Sequence, residues 1–142
     1  MRQELDKQMI TVRTDLDASL PLIAGHRGQL REVVLNVMQN AIEAMEGSAI
    51  GGRNLTLETK RQDQDEVTIS VRDTGPGIEQ QNTTKIFDVF VTTKDKGTGL
   101  GLAVSRMIVE LHGGRIIAHP DPGIGARFQI ALPIKMRSET AI

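Results

Sequence analysis

Along this chain, segments in which apolar residues alternate with polar ones are interrupted by two segments in which they recur every three or four positions. Ile10 to Leu16 (Ile-Thr-Val-Arg-Thr-Asp-Leu) alternates and predicts a half-buried strand. Asp17, Ala18 and Ser19 suit a turn, and the apolar run Leu20 to Ala24 predicts a second strand. Gly25-His26-Arg27-Gly28 breaks that run. From near Gln29 to near Glu46 the period changes. Leu30, Val33, Val34, Val37, Met38, Ala41, Ile42 and Met45 form one wide apolar face with no Pro or Gly inside it, which predicts a long helix. Gly47, Ser48, Gly51 and Gly52 end it.

Alternation returns at Asn54 to Arg61, with Leu55, Leu57 and Thr59 on one side, and at Glu66 to Arg72, with Val67, Ile69 and Val71 on one side. The polar turn Gln62 to Asp65 joins them as a hairpin. Asp73-Thr74-Gly75-Pro76-Gly77-Ile78 stops the second strand. Glu79 to Lys96 has no regular pattern beyond one helical turn around Lys85 to Asp88. Gly97-Thr98-Gly99-Leu100-Gly101-Leu102 opens a second helix. Its buried face is read as Leu100, Ala103, Val104, Met107, Ile108 and Leu111, and His112-Gly113-Gly114 ends it. Arg115 to Ala118 and Ala126 to Leu132 are the last strands, and the polar segment after Pro133 is a tail. Helices alternating with strands, some of them hairpin-joined, predict an α/β two-layer sandwich with a mixed sheet.

Composition narrows the chemistry. The 142 residues suffice for one domain with one core, and no repeat or linker divides them. The net charge of -1 supplies no bulk field toward nucleic acid or an anionic membrane. There is no Cys, so disulfides and thiolate metal sites are excluded. The aromatics are Phe87, Phe90 and Phe128 alone, too few for base-stacking platforms. No apolar run reaches the roughly 18 residues of a membrane helix, and Met1 to Lys7 lacks a signal peptide's apolar centre. A cytoplasmic domain is expected, whose parent protein could still carry a membrane anchor.

Four stretches carry candidate chemistry. Asn36 and Asn40 stand about one turn apart on the long helix, beside its apolar face. Their amides either satisfy nearby backbone groups or present oxygen to Mg²⁺, an ion that keeps waters and phosphates as its other ligands. Asp73 to Ile78 reads equally as a plain turn or as a carboxylate aimed into a pocket, with glycines that let a ligand approach. A buried carboxylate without a cation needs hydrogen-bond donors, and the exocyclic amine of adenine is one. Gly97 to Leu102 reads as a flexible loop or as a phosphate cradle of free N–H groups at a helix start. It is neither a P-loop nor a dinucleotide fingerprint. His26, His112 and His119 lack metal or triad spacing and read as surface or turn histidines.

Taken in order, these stretches resemble the catalytic ATP-binding domain of sensor histidine kinases, whose Bergerat fold is shared with DNA gyrase, Hsp90 and MutL. The resemblance runs from about Ile10 to Pro133. Leu35-Asn36-Val37-Met38-Gln39-Asn40-Ala41 resembles the asparagine box, and Asp73 to Ile78 the first glycine box. Ile86-Phe87-Asp88-Val89-Phe90-Val91-Thr92-Thr93-Lys94 resembles the phenylalanine box, and Gly97 to Leu102 the second glycine box. The resemblance implies that Asn40 coordinates Mg²⁺ and Asn36 assists at the phosphate end. It implies that Asp73 accepts the adenine amino group, that Gly75 and Gly77 leave room for the base and that Ile78 packs on it. Thr93, Lys94, Gly97, Thr98, Gly99, Leu100, Gly101 and Leu102 would face the nucleotide, with Lys94 either a phosphate ligand or a solvated lysine. Residues 79–96 would be a lid, anchored by Phe87 and Phe90.

The same resemblance implies a sheet covered by helices on one face and a domain spanning 1–142. Residues 1–9 would be the remnant of a connection to a missing dimerisation domain. It also implies ATP and Mg²⁺ as cofactors. The expected reaction is transfer of the γ-phosphoryl group to a histidine on that dimerisation domain, with a response regulator downstream. Gyrase, Hsp90 and MutL relatives carry Glu at the Asn36 position, and an amide cannot act as their water-activating base. No His here has the phosphoacceptor context. Three departures stand out: Glu43 where many kinases carry Lys, Ala126 where Thr or Ser is common, and a short lid like that of nitrogen-regulatory and oxygen-sensing kinases. A nucleotide-binding module without catalysis, or an anti-sigma-type serine kinase, are the alternatives.

Overall fold

A computed structural model describes residues 9–21, 23–46, 53–78, 82–88, 101–121 and 125–134. Five strands form one mixed sheet in the order β1-β2-β3-β5-β4. They are β1 (Ile10–Leu16), β2 (Arg53–Arg61), β3 (Glu66–Asp73), β4 (Arg115–Asp121) and β5 (Gly125–Pro133). Two helices, α1 (Arg27–Met45) and α2 (Gly101–Leu111), pack on one face of the sheet. This is the expected two-layer sandwich. β1 runs parallel to β2, and the other three pairings are antiparallel. A parallel pair needs a crossover, and α1 provides it.

The period of two decides what faces the helices. Val67, Ile69, Val71 and Asp73 of β3 share a side with Leu132, Ile130 and Phe128 of β5. Leu55 of β2 pairs with Asp73, and Ile116 and Ala118 of β4 with Ile130 and Phe128. Against this layer α1 buries Val33, Val37, Ala41, Ile42 and Met45, with Leu30, Val34 and Met38 packed at the margin. Its apolar face is the one read from the sequence. The β2–β3 hairpin also forms as expected. Asp63 Oδ1 accepts from the N–H groups of Asp65 at 2.7 Å and Glu66 at 3.1 Å, which closes the turn.

Two strand expectations need correction. Of the run Leu20 to Ala24, the described residues Leu20, Pro21, Ile23 and Ala24 do not join the sheet. Pro21 has no N–H to give to a ladder, and Leu20 and Ile23 instead pack against the core as irregular chain. β1 is not half-buried, because only Ile10 is inside. It is an edge strand, and α1 lies over β2 and β3 rather than over it. Val12 and Leu16 therefore remain exposed. Past β1, Asp17 Oδ1 accepts from the Ser19 hydroxyl at 2.7 Å and the Ser19 N–H at 2.9 Å. Those two bonds, the hydroxyl's first, hold the Asp17 carboxyl below its usual range.

Both helix ends at the far side from Asp73 are built by histidines. His26 has extended backbone angles (φ -89°, ψ 108°), and its side chain accepts from the Gln29 N–H, so it caps α1. α2 ends in a Schellman motif: Gly114 N–H donates to Val109 O at 3.0 Å and Gly113 N–H to Glu110 O at 3.0 Å. Gly113 takes φ +79°, and a Cβ on Gly114 would fall 2.1 Å from Ala131 O. The sequence His-Gly-Gly is thus a set of geometric requirements.

Candidate functional site

Asp73 ends β3 on the inward side, so its carboxylate enters the layer between sheet and α1. It is 1% exposed. Its Oδ1 accepts from the Gly75 N–H at 2.8 Å and, more weakly, from the Ala126 N–H at 3.4 Å. Position 126 thus contributes its backbone N–H to the carboxylate. The loop is pinned from its other side by Thr74. The Thr74 hydroxyl accepts from the Asn54 N–H at 3.0 Å and lies 3.6 Å from Met45 Sδ, tying the loop to β2 and to the end of α1.

The glycines of this loop sit where side chains do not fit. A Cβ on Gly75 would come 3.0 Å from Ala44 O and 3.1 Å from Asp73 Oδ1. Gly77 takes φ +88°, and its Cβ would meet Gly125 O at 3.1 Å. Gly125 takes φ +119°, and its Cβ would fall 2.1 Å from Asp73 O. A side chain at any of these positions would crowd the carboxylate or push the loop from β5. Ile78 is half-buried and packs on the core beside them.

On α1, Asn36 points to α2. Its Nδ2 donates to Ser105 Oγ at 3.3 Å and approaches Gly101 O at 3.5 Å. A carbonyl only accepts, so the amide must turn its nitrogen to α2 and its oxygen away. The His26–His112 contact at the other end of the pair makes the helices antiparallel. Asn40 lies about 6 Å further along α1, level with the start of α2. It is half-buried and engaged in the fold. Gly101 is exposed, with open space where a Cβ would stand, and Leu102 packs against the core.

Phe87 packs into the core. It ends a single 3₁₀ turn, Lys85–Phe87, as expected around Lys85 to Asp88. The ring is buried and meets Phe128 edge-on, with centroids 6.1 Å apart and planes at 87°. The structure therefore sets Gly75 against Asp73, Gly77 against Gly125 and Asn36 against Gly101, with Asn40, Ile78 and Leu102 half-buried. Phe90, Thr93, Lys94, Gly97, Thr98, Gly99 and Leu100 lie outside the described residues.

Ser105 was missed by the periodicity. The buried residues of α2 are Ser105, Ile108 and Val109, whereas Met107 is 55% and Leu111 76% exposed. The helix is rotated from the expected face, with Ser105 turned to Asn36 of α1 and Val109 buried in place of Met107 and Leu111. The signal was a small polar residue in an otherwise apolar helix, opposite an equally unexpected Asn. His26 is exposed and His112 lies in a turn, as expected, and they serve in addition as a cap and a strut.

The Asp73 loop thus carries an inward carboxylate held by N–H groups, and α1 carries two amides, of which Asn36 meets the start of α2. Known proteins place the chain further. It matches the family described as HATPase_c, histidine kinase-, DNA gyrase B-, and HSP90-like ATPase, over residues 25–136. The chain belongs to this family. It is 38% identical to Sporulation kinase E of Bacillus subtilis (strain 168) over 130 residues, which is 92% of this chain and 17% of that protein. It is 39% identical over 129 residues to Signal transduction histidine-protein kinase AtoS of Escherichia coli (strain K12), covering 91% of this chain and 21% of that one.

Among solved structures, the catalytic domain of histidine kinase ThkA matches with TM-score 0.79 at 30% identity, over 93% of this chain and 85% of that one. Full-length ShkA in complex with AMPPNP matches at 0.81 and 29%, over 94% and 28%. ThkA in complex with response regulator protein TrrA matches at 0.77 and 27%, over 94% and 37%. The chain therefore spans about a fifth of the length of Sporulation kinase E and of AtoS.

Proposed function

We propose that this chain is the catalytic ATP-binding domain of a two-component sensor histidine kinase. It binds Mg-ATP in the cleft bounded by the Asp73 loop, α1 and the start of α2. It donates the γ-phosphoryl group to a histidine on a separate dimerisation domain of the same kinase, and a response regulator acts downstream. The whole, residues 1–142, is read as one cytoplasmic catalytic unit. Among the described residues no helix is long and apolar enough to cross a membrane.

The cleft residues fit an adenine nucleotide. Asp73 is a buried acceptor, oriented by two N–H groups before any ligand arrives, and suited to the amino group of adenine. Gly75 and Gly77 leave the approach free, and Ile78 gives the ring an apolar wall. Among the described residues no three acidic or histidine groups cluster as a metal site. A cation here would be held through the Asn40 amide oxygen, with waters and phosphate oxygens completing its shell, a donor set suited to Mg²⁺. When bound, Mg-ATP supplies the transferable phosphoryl group and the metal charge that offsets its oxygens. Asn36 presents its oxygen beside that position, because α2 takes its nitrogen. The roles of Thr93, Lys94, Gly97, Thr98, Gly99 and Leu100 rest on the resemblance alone.

The observation that carries phosphotransfer over hydrolysis is the helix face itself. Val33 to Ala41 contains no carboxylate, and Asn36 is held as an amide donor to Ser105. Nothing on that face can take a proton from water. The test supplies a matching dimerisation domain in trans with γ-labelled ATP. Acid-labile, base-stable label on that domain is expected. Nucleotide binding without transfer would refute the kinase and leave a binding module, and brisk hydrolysis by the chain alone would return it to the ATPases.

A further inference from the structure

The sheet has two edges, β4 and β1, and they are not equally protected. β4 carries Pro120, which has no N–H to offer another strand. β1 keeps unbroken register with β2 over its whole length and contains neither Pro nor Lys. Among the described residues nothing pairs with its outer side. Every residue after Ile10 is exposed, including Val12 at 39% and Leu16 at 59%. A regular edge strand with exposed apolar side chains is a template for another strand.

This edge is complementary to itself. Val12-Arg13-Thr14-Asp15-Leu16 runs apolar, cation, Thr, anion, apolar. An antiparallel copy laid beside it about a two-fold axis at Thr14 sets Val12 opposite Leu16, Arg13 opposite Asp15 and Thr14 opposite itself. The period of two keeps the faces in order. Val12 and Leu16 lie on the helix side, since Val12 pairs with Leu55, and Arg13 and Asp15 lie on the other. Moving the axis to Arg13 or to Asp15 would set like charges opposite each other. Within one chain Asp15 stands opposite Glu58, a like charge, and Arg13 opposite Thr56. Among the described residues neither Arg13 nor Asp15 forms an ion pair. A second copy would bring a guanidinium to the Asp15 and Glu58 carboxylates.

We propose that β1 is an interface for a second copy of this chain, the two joining edge to edge about Thr14 so that their sheets become one. The arrangement closes on itself, because both copies use the same edge, and it stops at a dimer. Only Val12 to Leu16 pair across it, so the interface is smaller than the roughly 1,200 Å² of stable complexes. The dimer is therefore weak, with a dissociation constant on the order of 100 µM. It does not depend on the nucleotide reading of the Asp73 loop.

The test is sedimentation equilibrium of the whole chain over concentrations from about 10 to 500 µM, where a monomer–dimer equilibrium should appear. Arg13→Asp alone sets carboxylate against carboxylate, and Asp15→Arg alone sets guanidinium against guanidinium. Each should weaken the dimer at least about tenfold. Mixed in equal amounts, the two variants are complementary again and should form a heterodimer within about threefold of the original strength. Both positions are exposed, and a melt of each variant checks that the fold is kept. The chain has no Cys, so Thr14→Cys adds a single thiol that the axis sets beside its own copy. Oxidation should link that variant far faster than Leu111→Cys, whose site is exposed on α2. A chain that stays monomeric at the highest concentration would overturn the proposal. A dimer indifferent to both charge reversals would overturn the edge pairing, and one that the reversals break but mixing does not restore would overturn the Thr14 register. If a reversal unfolds the chain, the thiol comparison decides alone, and equal linking rates would refute the interface.

Discussion

Asp73→Asn isolates what the buried carboxylate contributes. The side chain is 1% exposed, and its Oδ1 takes the Gly75 N–H at 2.8 Å. An asparagine of the same shape must keep its oxygen there, since its nitrogen would face a donor. The other branch then changes from a charged acceptor to an NH₂ group, and the adenine amine meets a donor. Hydrogen bonds to charged groups are worth about 1.5–3 kcal/mol, so nucleotide affinity should fall by about 10–150-fold. The fold should survive, because both backbone bonds to Oδ1 remain and only their charge assistance is lost, a change of about 1 kcal/mol. Calorimetry with AMPPNP at pH 7.5 measures the affinity, and a melt of the same sample checks the fold. Titration with a guanine analogue adds specificity: the unaltered chain should prefer adenine, and the variant should lose much of that preference. A variant that binds within twofold of the original, with the base preference intact, would refute the assignment of Asp73 to the base.

Three further outcomes are expected. Asn40→Ala should weaken binding of AMPPNP more with Mg²⁺ than with EDTA, by about tenfold for one lost metal ligand interaction of roughly 1.4 kcal/mol; equal losses under both conditions would remove Asn40 from the metal. Ser105→Ala should cost about 0.5–1.5 kcal/mol in urea unfolding and weaken AMPPNP severalfold, while Ser105→Thr, which keeps the hydroxyl, should recover part of both; an alanine variant indistinguishable in both assays would make the Asn36–Ser105 contact incidental. Phe87→Ala should destabilise the chain by about 3–5 kcal/mol, since the ring is buried edge-on against Phe128; a change below 1 kcal/mol in the same unfolding assay would mean that Phe87 anchors nothing.

The layer order and most strand positions were legible because burial on one face leaves a period in the sequence. α1 shows this most clearly, since its eight apolar positions all face or flank the core. Where the prediction failed, a contact outweighed the period. Pro21 broke an apolar run that looked like a strand. The edge position of β1 removed the helix that its alternation implied. α2 turned so that Ser105 meets Asn36 of α1, which leaves Met107 and Leu111 exposed. Asp73 was legible as a candidate from its place at a strand end before Gly-Pro-Gly. Its Ala126 partner was not, because that residue is remote in sequence and arrives only through β5. The roles of His26 and His112 were illegible for the same reason: their contact joins residues at opposite ends of two helices.

The parallel pairing of β1 has a consequence for the order in which the chain folds. β2 and β3 can zip from the turn between them, and β4 and β5 are also neighbours in sequence. Ile10, by contrast, finds Arg53 only after the whole of α1 has been laid across the sheet. Closing so long a loop carries an entropic cost that local pairs escape, and β1 has a single buried side chain to offset it. It should be the last strand to dock and the first to open. Amide exchange in residues 10–16 should therefore run ahead of exchange in β3 and β5, and the N-terminal edge can detach while the layer that holds Asp73 stays closed.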